Sequence, residues 1–257
     1  MDLRLLFNED VLNYDKMRPT YVKALFDDII SFSSLDSNKA ALEIGIGTGQ
    51  ATLPFLNTGC RVTAVELGKE LADFSKAKFS EFTNFEIING AFESVELEEN
   101  FFDLIYAATA FHWIEQESGY TKAYRLLKSG GTLALFWNHP APPDDELNAA
   151  MQKVYDKYKP ASQDSSRVHK YSEENCLEIV SRTEQYGFVD VNYKIYCQTR
   201  AFDADSYIAL LNTYSDHRAM PRDKWALFEK ELREAISKCG GQVYIHDTMD
   251  LYLAKKP

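Results

Sequence analysis

Residues 40–50 read Ala-Ala-Leu-Glu-Ile-Gly-Ile-Gly-Thr-Gly-Gln, and the fold is decided here. Ala40–Ile44 is a short apolar run, too short for a helix and suited to a buried strand. Gly45, Gly47 and Gly49 follow at alternate positions. A residue without a Cβ lets another group lie directly against the backbone and adopts positive φ at little cost. From Gln50 the chain continues Ala-Thr-Leu-Pro-Phe-Leu, which can open a helix. Strand, glycine turn and helix make the first βα unit of a doubly wound α/β sheet.

An acid comes next. Arg61–Val65 is a second run rich in branched residues, and Glu66 ends it, 21 residues beyond Gly45. In such a sheet this places a carboxylate at the tip of the neighbouring strand, where it can accept both hydroxyls of a ribose. The glycine spacing discriminates between ligands. A dinucleotide fingerprint needs a third glycine at position 50, which is Gln50. An NAD-dependent oxidoreductase is therefore the weaker of the nucleotide-binding readings.

Glu43, Gly45, Gly47 and Gly49, with Glu66 closing the second strand, form a pattern that resembles the class I S-adenosylmethionine-dependent methyltransferases. Three more stretches carry the resemblance. Tyr14-Asp15-Lys16-Met17-Arg18-Pro19-Thr20-Tyr21 is similar to a signature at the front of one type 11-like, small-molecule subgroup that includes trans-aconitate methyltransferases. Phe102-Asp103-Leu104, followed by His112-Trp113, resembles that subgroup's loop beneath the methionine half of the cofactor. Leu127–Gly131 resembles the turn before the fifth strand, with Ser129 in place of the usual proline. The resemblance covers residues 14–138. It implies S-adenosylmethionine as cofactor, with contacts from Tyr14, Arg18, Glu43, Gly45, Gly47, Gly49, Glu66, Leu67, Ala91, Phe92, Ala107 and Thr109. Ala91 stands where an aspartate commonly meets the adenine, so the backbone of Phe92 is the contact expected there.

Composition sets bounds. A chain of 257 residues, 45% apolar, can build one large domain or one domain with a small lid. A net charge of −11, with no basic block, argues against a nucleic-acid surface. Cys60, Cys176, Cys197 and Cys239 are scattered and read as reduced thiols, neither a disulfide frame nor a metal site. No stretch approaches the roughly 20 apolar residues of a membrane helix, and Met1–Asp10 does not read as a signal peptide. The expectation is a cytoplasmic enzyme with no metal.

The remaining periodicities predict the other elements. Tyr14–Phe32 reads as one helix with Pro19 in its first turn. Helices are expected over 71–79, 118–127, 147–158, 174–185, 203–214 and from Pro221, and strands over 85–88, 102–107, 132–137, 188–197 and 243–253. The polar stretch 161–170 reads as a loop after a stop at Pro160. The family implied by the motifs has a Rossmann-like sheet of seven strands, the seventh antiparallel. The expected division is a single methyltransferase domain, with a core of 36–138, 187–200 and 241–257 and helical lid segments at 1–20, 139–186 and 201–240. The last segment is well above usual connection lengths, so it is expected to have structure of its own. If strand 188–197 runs parallel to the core, the inserts leave from carboxyl ends and form a lid over a small substrate.

Methyl transfer from a sulfonium needs in-line positioning more than a new nucleophile. A carboxylate acceptor needs no base, whereas an amine or hydroxyl can use one. His112, His139 and His217 are candidate bases, and His112 comes first because the loop motif fixes its neighbourhood; each can equally be a packed or surface histidine. Arg18, Arg200 and Arg218 can grip an acidic substrate or simply be solvated. A non-catalytic protein that binds the cofactor would keep residues 40–111 as well and is the alternative to an enzyme.

Overall fold

The computed structural model describes residues 11–142, 145–158 and 171–257, with backbone alone at Tyr14 and Ser215. The Tyr14 side chain, Pro160 and the loop 161–170 lie outside the described residues. The chain divides into two units, one of residues 19–139, 167–196 and 249–257, the other of residues 1–18, 140–166 and 197–248.

The first unit is built on the sheet. Its strands are β1 (Ala40–Ile44), β2 (Arg61–Glu66), β3 (Phe85–Asn89), β4 (Phe102–Ala108), β5 (Leu127–Ala141), β6 (Val189–Asp203) and β7 (Gln242–Lys255), whose far ends continue into the second unit. The order is β3-β2-β1-β4-β5-β7-β6, with β7 antiparallel. β1 is parallel to β2 on one side, Ile44 opposite Val65, and to β4 on the other, Glu43 opposite Tyr106. Chain order therefore reverses direction at β1, which makes its carboxyl end the switch point where ligands bind in open α/β sheets. All five residues of β1 are buried, as a parallel strand covered on both faces requires.

Helices α2 (Lys23–Ser33), α3 (Thr52–Leu56), α4 (Lys69–Lys78), α5 (Gln116–Leu126) and α7 (Glu173–Gln185) belong to this unit. One apolar layer joins α2 and α3 to the sheet through Leu25, Phe26, Ile29, Phe55 and Phe136. The other joins α5 and α7 through Tyr120, Ala123, Cys176 and Ile179. The Glu115 carboxylate caps α5 by accepting the N–H groups of Glu117 and Ser118, and the Ser172 hydroxyl caps α7.

The second unit holds α1 (Val11–Met17), α6 (Glu146–Tyr158), α8 (Ala204–Leu211), α9 (Ser215–Arg218) and α10 (Arg222–Lys238). Its core is Leu147, Met151, Val154, Tyr207, Phe228, Leu232 and Ile236, with Val243 and Ile245 of β7. Residues 201–240 thus have a core partner of their own. Asp203 caps α8 through the Ser206 N–H at 2.8 Å, and Pro221 immediately precedes α10.

Several expectations change. The strand expected over 188–197 runs on to Asp203, and the helix expected over 203–214 ends at Leu211. The single helix over Tyr14–Phe32 is two helices, α1 ending at Met17 and α2 starting at Lys23. Proline disfavours helical backbone in the residue before it, so the helix stops ahead of Arg18-Pro19. The fifth strand begins at Leu127 rather than Thr132. Leu127 pairs with Phe102 and Thr132 with Leu104, so five steps on β5 face two on β4. The Ser129–Gly131 bulge inside that interval turns on Gly130 at φ +75°.

Candidate active site at the carboxyl end of the sheet

Gly45, Gly47 and Gly49 have φ values of +71°, +58° and +80°. The turn begins with the Gly45 N–H donating to Val65 O at 2.8 Å. A Cβ on Gly45 would stand 2.7 Å from Ala110 Cβ, so the loop after β4 lies directly on this turn. At Gly49 a Cβ would meet the Phe79 ring at 2.3 Å. The third glycine of the motif therefore makes room for a core ring behind the turn.

Glu66 ends β2 with its carboxylate turned to the glycine turn. Oε2 accepts the Gly47 N–H at 2.9 Å, and Oε1 accepts the Gly68 N–H at 2.8 Å. The residue is 7% exposed. Burial raises its pKa, and bonds from the Gly68, Gly47 and Leu67 amides pull it back down. A carboxylate has about four acceptor sites, so these amide bonds do not exhaust it. Ser75 Oγ and Lys78 Nζ hold the other side of the turn by donating to the carbonyls of Gly47 and Thr48 at 2.8 and 2.9 Å.

Glu43 is a second, deeper acid. The Thr52 hydroxyl and the Tyr106 phenol both donate to its Oε2, at 2.7 and 2.8 Å. Desolvation pushes its pKa up to about 8; the two hydrogen bonds oppose this and the nearby Glu66 adds to it. Burial, then Glu43 itself, drives the Tyr106 phenol well above its usual range, which keeps it a donor.

Beyond β3, Asn89 Nδ2 ties this bend to β2 through the carbonyls of Glu66 and Leu67 at 2.8 and 3.0 Å. Phe92 is buried, and Lys122 Nζ binds the carbonyls of Phe92 and Val95 at 2.6 and 2.5 Å. The Gly90 N–H donates to Glu66 O at 2.8 Å, which holds the bend after β3 against the end of β2. Ala107 is buried within β4.

The loop after β4 completes the group. Thr109 takes φ +50°, its N–H donates to Phe136 O at 2.8 Å, and its hydroxyl pairs with Tyr21 OH at 2.7 Å. The Trp137 indole donates to His112 Nδ1 at 3.1 Å. An indole N–H can only donate, so the neutral His112 ring carries its proton on Nε2 and offers a donor there. Two residues along β5 from Trp137, His139 Nε2 is 2.9 Å from Asp250 Oδ1. Asp250 is fully buried, and Tyr252 OH donates to its Oδ2 at 2.9 Å.

The remaining candidates lie in the second unit. Arg18 donates to Thr213 O at 2.9 Å and lies over the Tyr214 ring. Arg218 donates to Asn212 O at 3.3 Å. Arg200 makes a two-point pair with the buried Asp247, so its charge is already met. His217 is held between Asp216 at 2.9 Å and Tyr155 at 3.2 Å. Sequence reasoning did not single out Trp137, Asp250 or Tyr252. The one available signal was an acid, Asp250, between Met249 and Leu251 in an apolar strand.

Comparison with known proteins bears on the family and the fold. A family model described as a methyltransferase domain matches residues 42–135, from β1 to β5. The chain is a class I S-adenosylmethionine-dependent methyltransferase. An uncharacterized methyltransferase of Schizosaccharomyces pombe is 23% identical to this methyltransferase over 90% of its chain and 86% of the relative. Among solved structures, a candidate type II methyltransferase from Anaeromyxobacter dehalogenans matches 93% of the methyltransferase and 97% of that chain, at a TM-score of 0.66 and 21% identity. A Haemonchus contortus phosphoethanolamine N-methyltransferase in complex with S-adenosylhomocysteine shares the fold at a TM-score of 0.59 and 13% identity, over the whole methyltransferase and 60% of that chain. The third glycine that an NAD site needs is Gln50, whose amide donates to Thr48 Oγ1 at 2.6 Å.

Proposed function

We propose that the chain moves the methyl group of S-adenosylmethionine onto a small molecule by in-line displacement, with a carboxylate among the acceptor classes. When bound, the cofactor supplies an electrophilic methyl on a sulfonium. Glu66 accepts the ribose hydroxyls through the lone pairs its amide bonds leave, with Leu67 beside it. Ala91 and the Phe92 backbone border the adenine. Glu43, Gly45, Gly47, Gly49, Ala107 and Thr109 surround the methionine half. His112 meets the acceptor as the catalytic residue, in the role of a donor. Residues 36–138, 187–200 and 241–257 carry the methyltransferase core, and segments 1–20, 139–186 and 201–240 are its helical insertions. Holding acceptor and methyl in line can supply roughly 7–11 kcal/mol of the barrier.

The observation that carries the reading is the clasp of Gly47 and Gly68 on the Glu66 carboxylate. It presents an acid and a glycine backbone at the switch point, which suits a ribose-bearing ligand. A small acceptor fits rings as enclosed as Trp137, 4% exposed, and the His139 side chain, 10% exposed; a protein segment or nucleic-acid strand needs an open groove. The net charge of −11 also disfavours nucleic acid. Among the described residues no helix is long and apolar enough to cross a membrane, and no group of three or more His, Cys, Asp or Glu could hold a metal. We place the protein in the cytoplasm on its free cysteines. The test is calorimetric titration with S-adenosylhomocysteine and NAD, followed by a radiolabelled methyl-transfer screen across small acids, amines, phenols and alcohols. Binding of NAD alone, or methyl transfer to protein or nucleic acid only, would sink it.

A further inference from the structure

The sheet unit contains a buried histidine–aspartate pair that methyl transfer to a carboxylate would not need. His139 sits near the end of β5 with Nε2 2.9 Å from Asp250 Oδ1 on the neighbouring β7. Asp250 is 0% exposed and the His139 side chain 10%. Tyr252 OH donates to the other carboxylate oxygen at 2.9 Å. Burial, followed by the adjacent Asp250, drives the Tyr252 phenol far above its ordinary range, so it remains a donor. Asp250 accepts from Tyr252 at Oδ2, and with the Nε2–H of His139 donating to Oδ1 both carboxylate oxygens are met. That fixes the neutral imidazole with its lone pair on Nδ1.

The pair stands close to the glycine turn in contacts. The turn at Gly45 is covered by Ala110. Thr109, one residue earlier, donates its N–H to Phe136 O and accepts the Asn138 N–H on its hydroxyl at 3.3 Å. His139 is the next residue. Side chains two apart on a strand share a face, so His139 projects on the face of Trp137, whose indole holds His112. Two histidines border one face in opposite tautomers. His112 has its proton on Nε2, donated to by Trp137 at Nδ1; His139 has its lone pair on Nδ1, with Asp250 at Nε2. One is a donor and the other a base.

We propose that His139, oriented by Asp250, takes the proton from the methyl acceptor, and that the acceptor is an amine or a hydroxyl. This rests on the methyl-transfer reading and narrows its substrate class. In the step, the acceptor nitrogen or oxygen bonds to the methyl carbon. The carbon–sulfur bond breaks, and its electron pair stays on sulfur, which becomes a neutral thioether. The acceptor proton passes to His139 Nδ1, and the imidazolium formed is balanced by Asp250 until water takes the proton away. A carboxylate acceptor has no proton to give and would leave the pair idle. Among the described residues, the titratable groups around the ring include Asp250 and Tyr252 from β7, Cys176 of α7 beside Tyr252, and Tyr171 ahead of α7 with its ring centroid 6.2 Å away.

The test uses the full chain, labelled S-adenosylmethionine, and a panel of amines, phenols, alcohols and carboxylates, with His139→Gln and Asp250→Asn as variants. Methyl transfer by the wild type to an amine or hydroxyl is expected. His139→Gln should lower kcat by about 10²–10⁴-fold, while the Kd for S-adenosylhomocysteine stays within about two-fold. Asp250→Asn should lower kcat through the wrong tautomer. Wild-type kcat in His139→Gln, or a carboxylate as the acceptor, overturns the proposal. Nitrogen-15 NMR of the wild-type histidines with S-adenosylhomocysteine tests the pair independently of variant folding and of the acceptor's identity. The Nε2–H tautomer at His139 supports the base, and the Nδ1–H tautomer refutes it. An absence of methyl transfer across the whole panel would instead count against the small-molecule reading, with the NMR result still deciding the pair.

Discussion

Replacing Glu43 with glutamine should flatten the pH dependence of stability. In the folded protein the Glu43 carboxyl titrates at about 8, against 4.5 for the ordinary group. Below pH 4.5 both folded and unfolded chains hold the proton and the residue costs nothing extra. Between 4.5 and about 8 the unfolded chain has released its proton while the folded one keeps it, so stability falls as pH rises. Above about 8 the loss is complete. Each pH unit across that interval is worth about 1.4 kcal/mol, so the full loss is on the order of 4–5 kcal/mol. Glutamine has no proton to exchange, and its carbonyl oxygen can still accept from the Thr52 hydroxyl and the Tyr106 phenol. Other groups, Glu66 among them, titrate in both proteins, so the difference between variant and wild type isolates Glu43. Urea melts at about pH 5 and about pH 9 should show the variant gaining several kcal/mol on the wild type between the two. Parallel stability curves would refute both the buried, neutral state of Glu43 and the cost assigned to its ionisation.

Glu66→Gln should weaken S-adenosylhomocysteine binding by about 1.5–3 kcal/mol for each charge-assisted bond lost, read by calorimetry; unchanged affinity would make the clasp purely structural. Gly49→Ala should cost well over the roughly 1 kcal/mol of a positive-φ alanine, because its Cβ lands 2.3 Å from the Phe79 ring, whereas Gly240→Ala, at φ +95° with open space, should cost only the backbone share. Equal losses in denaturant melts would count against the packing role. Arg200→Met leaves the buried Asp247 without its two-point partner and should destabilise by about 3–5 kcal/mol, with a loss below about 1 kcal/mol contradicting it.

The sheet was legible because its strands are short apolar runs between glycine-bearing turns, as at Ala40–Ile44 and Arg61–Glu66. Buried parallel strands need no alternation, so composition alone marks them. The helix break at Arg18 was hidden, because proline suits the first turn of a helix as well as the gap between two. The site was legible where its parts sit in one local motif, as for Gly45, Gly47 and Glu66. It was concealed where a partner comes from far along the chain. His139 and Asp250 are 111 positions apart, and His112 and Trp137 are 25 apart. Such pairings follow from strand order, and the strand order places β7 beside β5 although β6 precedes it in sequence. The tautomers that separate the two histidines could not be read without those partners.

The Glu66 clasp has a consequence for turnover. On the proposed placement this acid reads the ribose, a part of the cofactor that methyl transfer leaves unchanged. It therefore grips the spent cofactor as firmly as the fresh one, and no adjustment of Glu66 can favour exchange of one for the other. What the reaction alters is the positive charge on sulfur, which a ribose-binding acid does not read. Discrimination between incoming and outgoing cofactor then falls to groups other than Glu66.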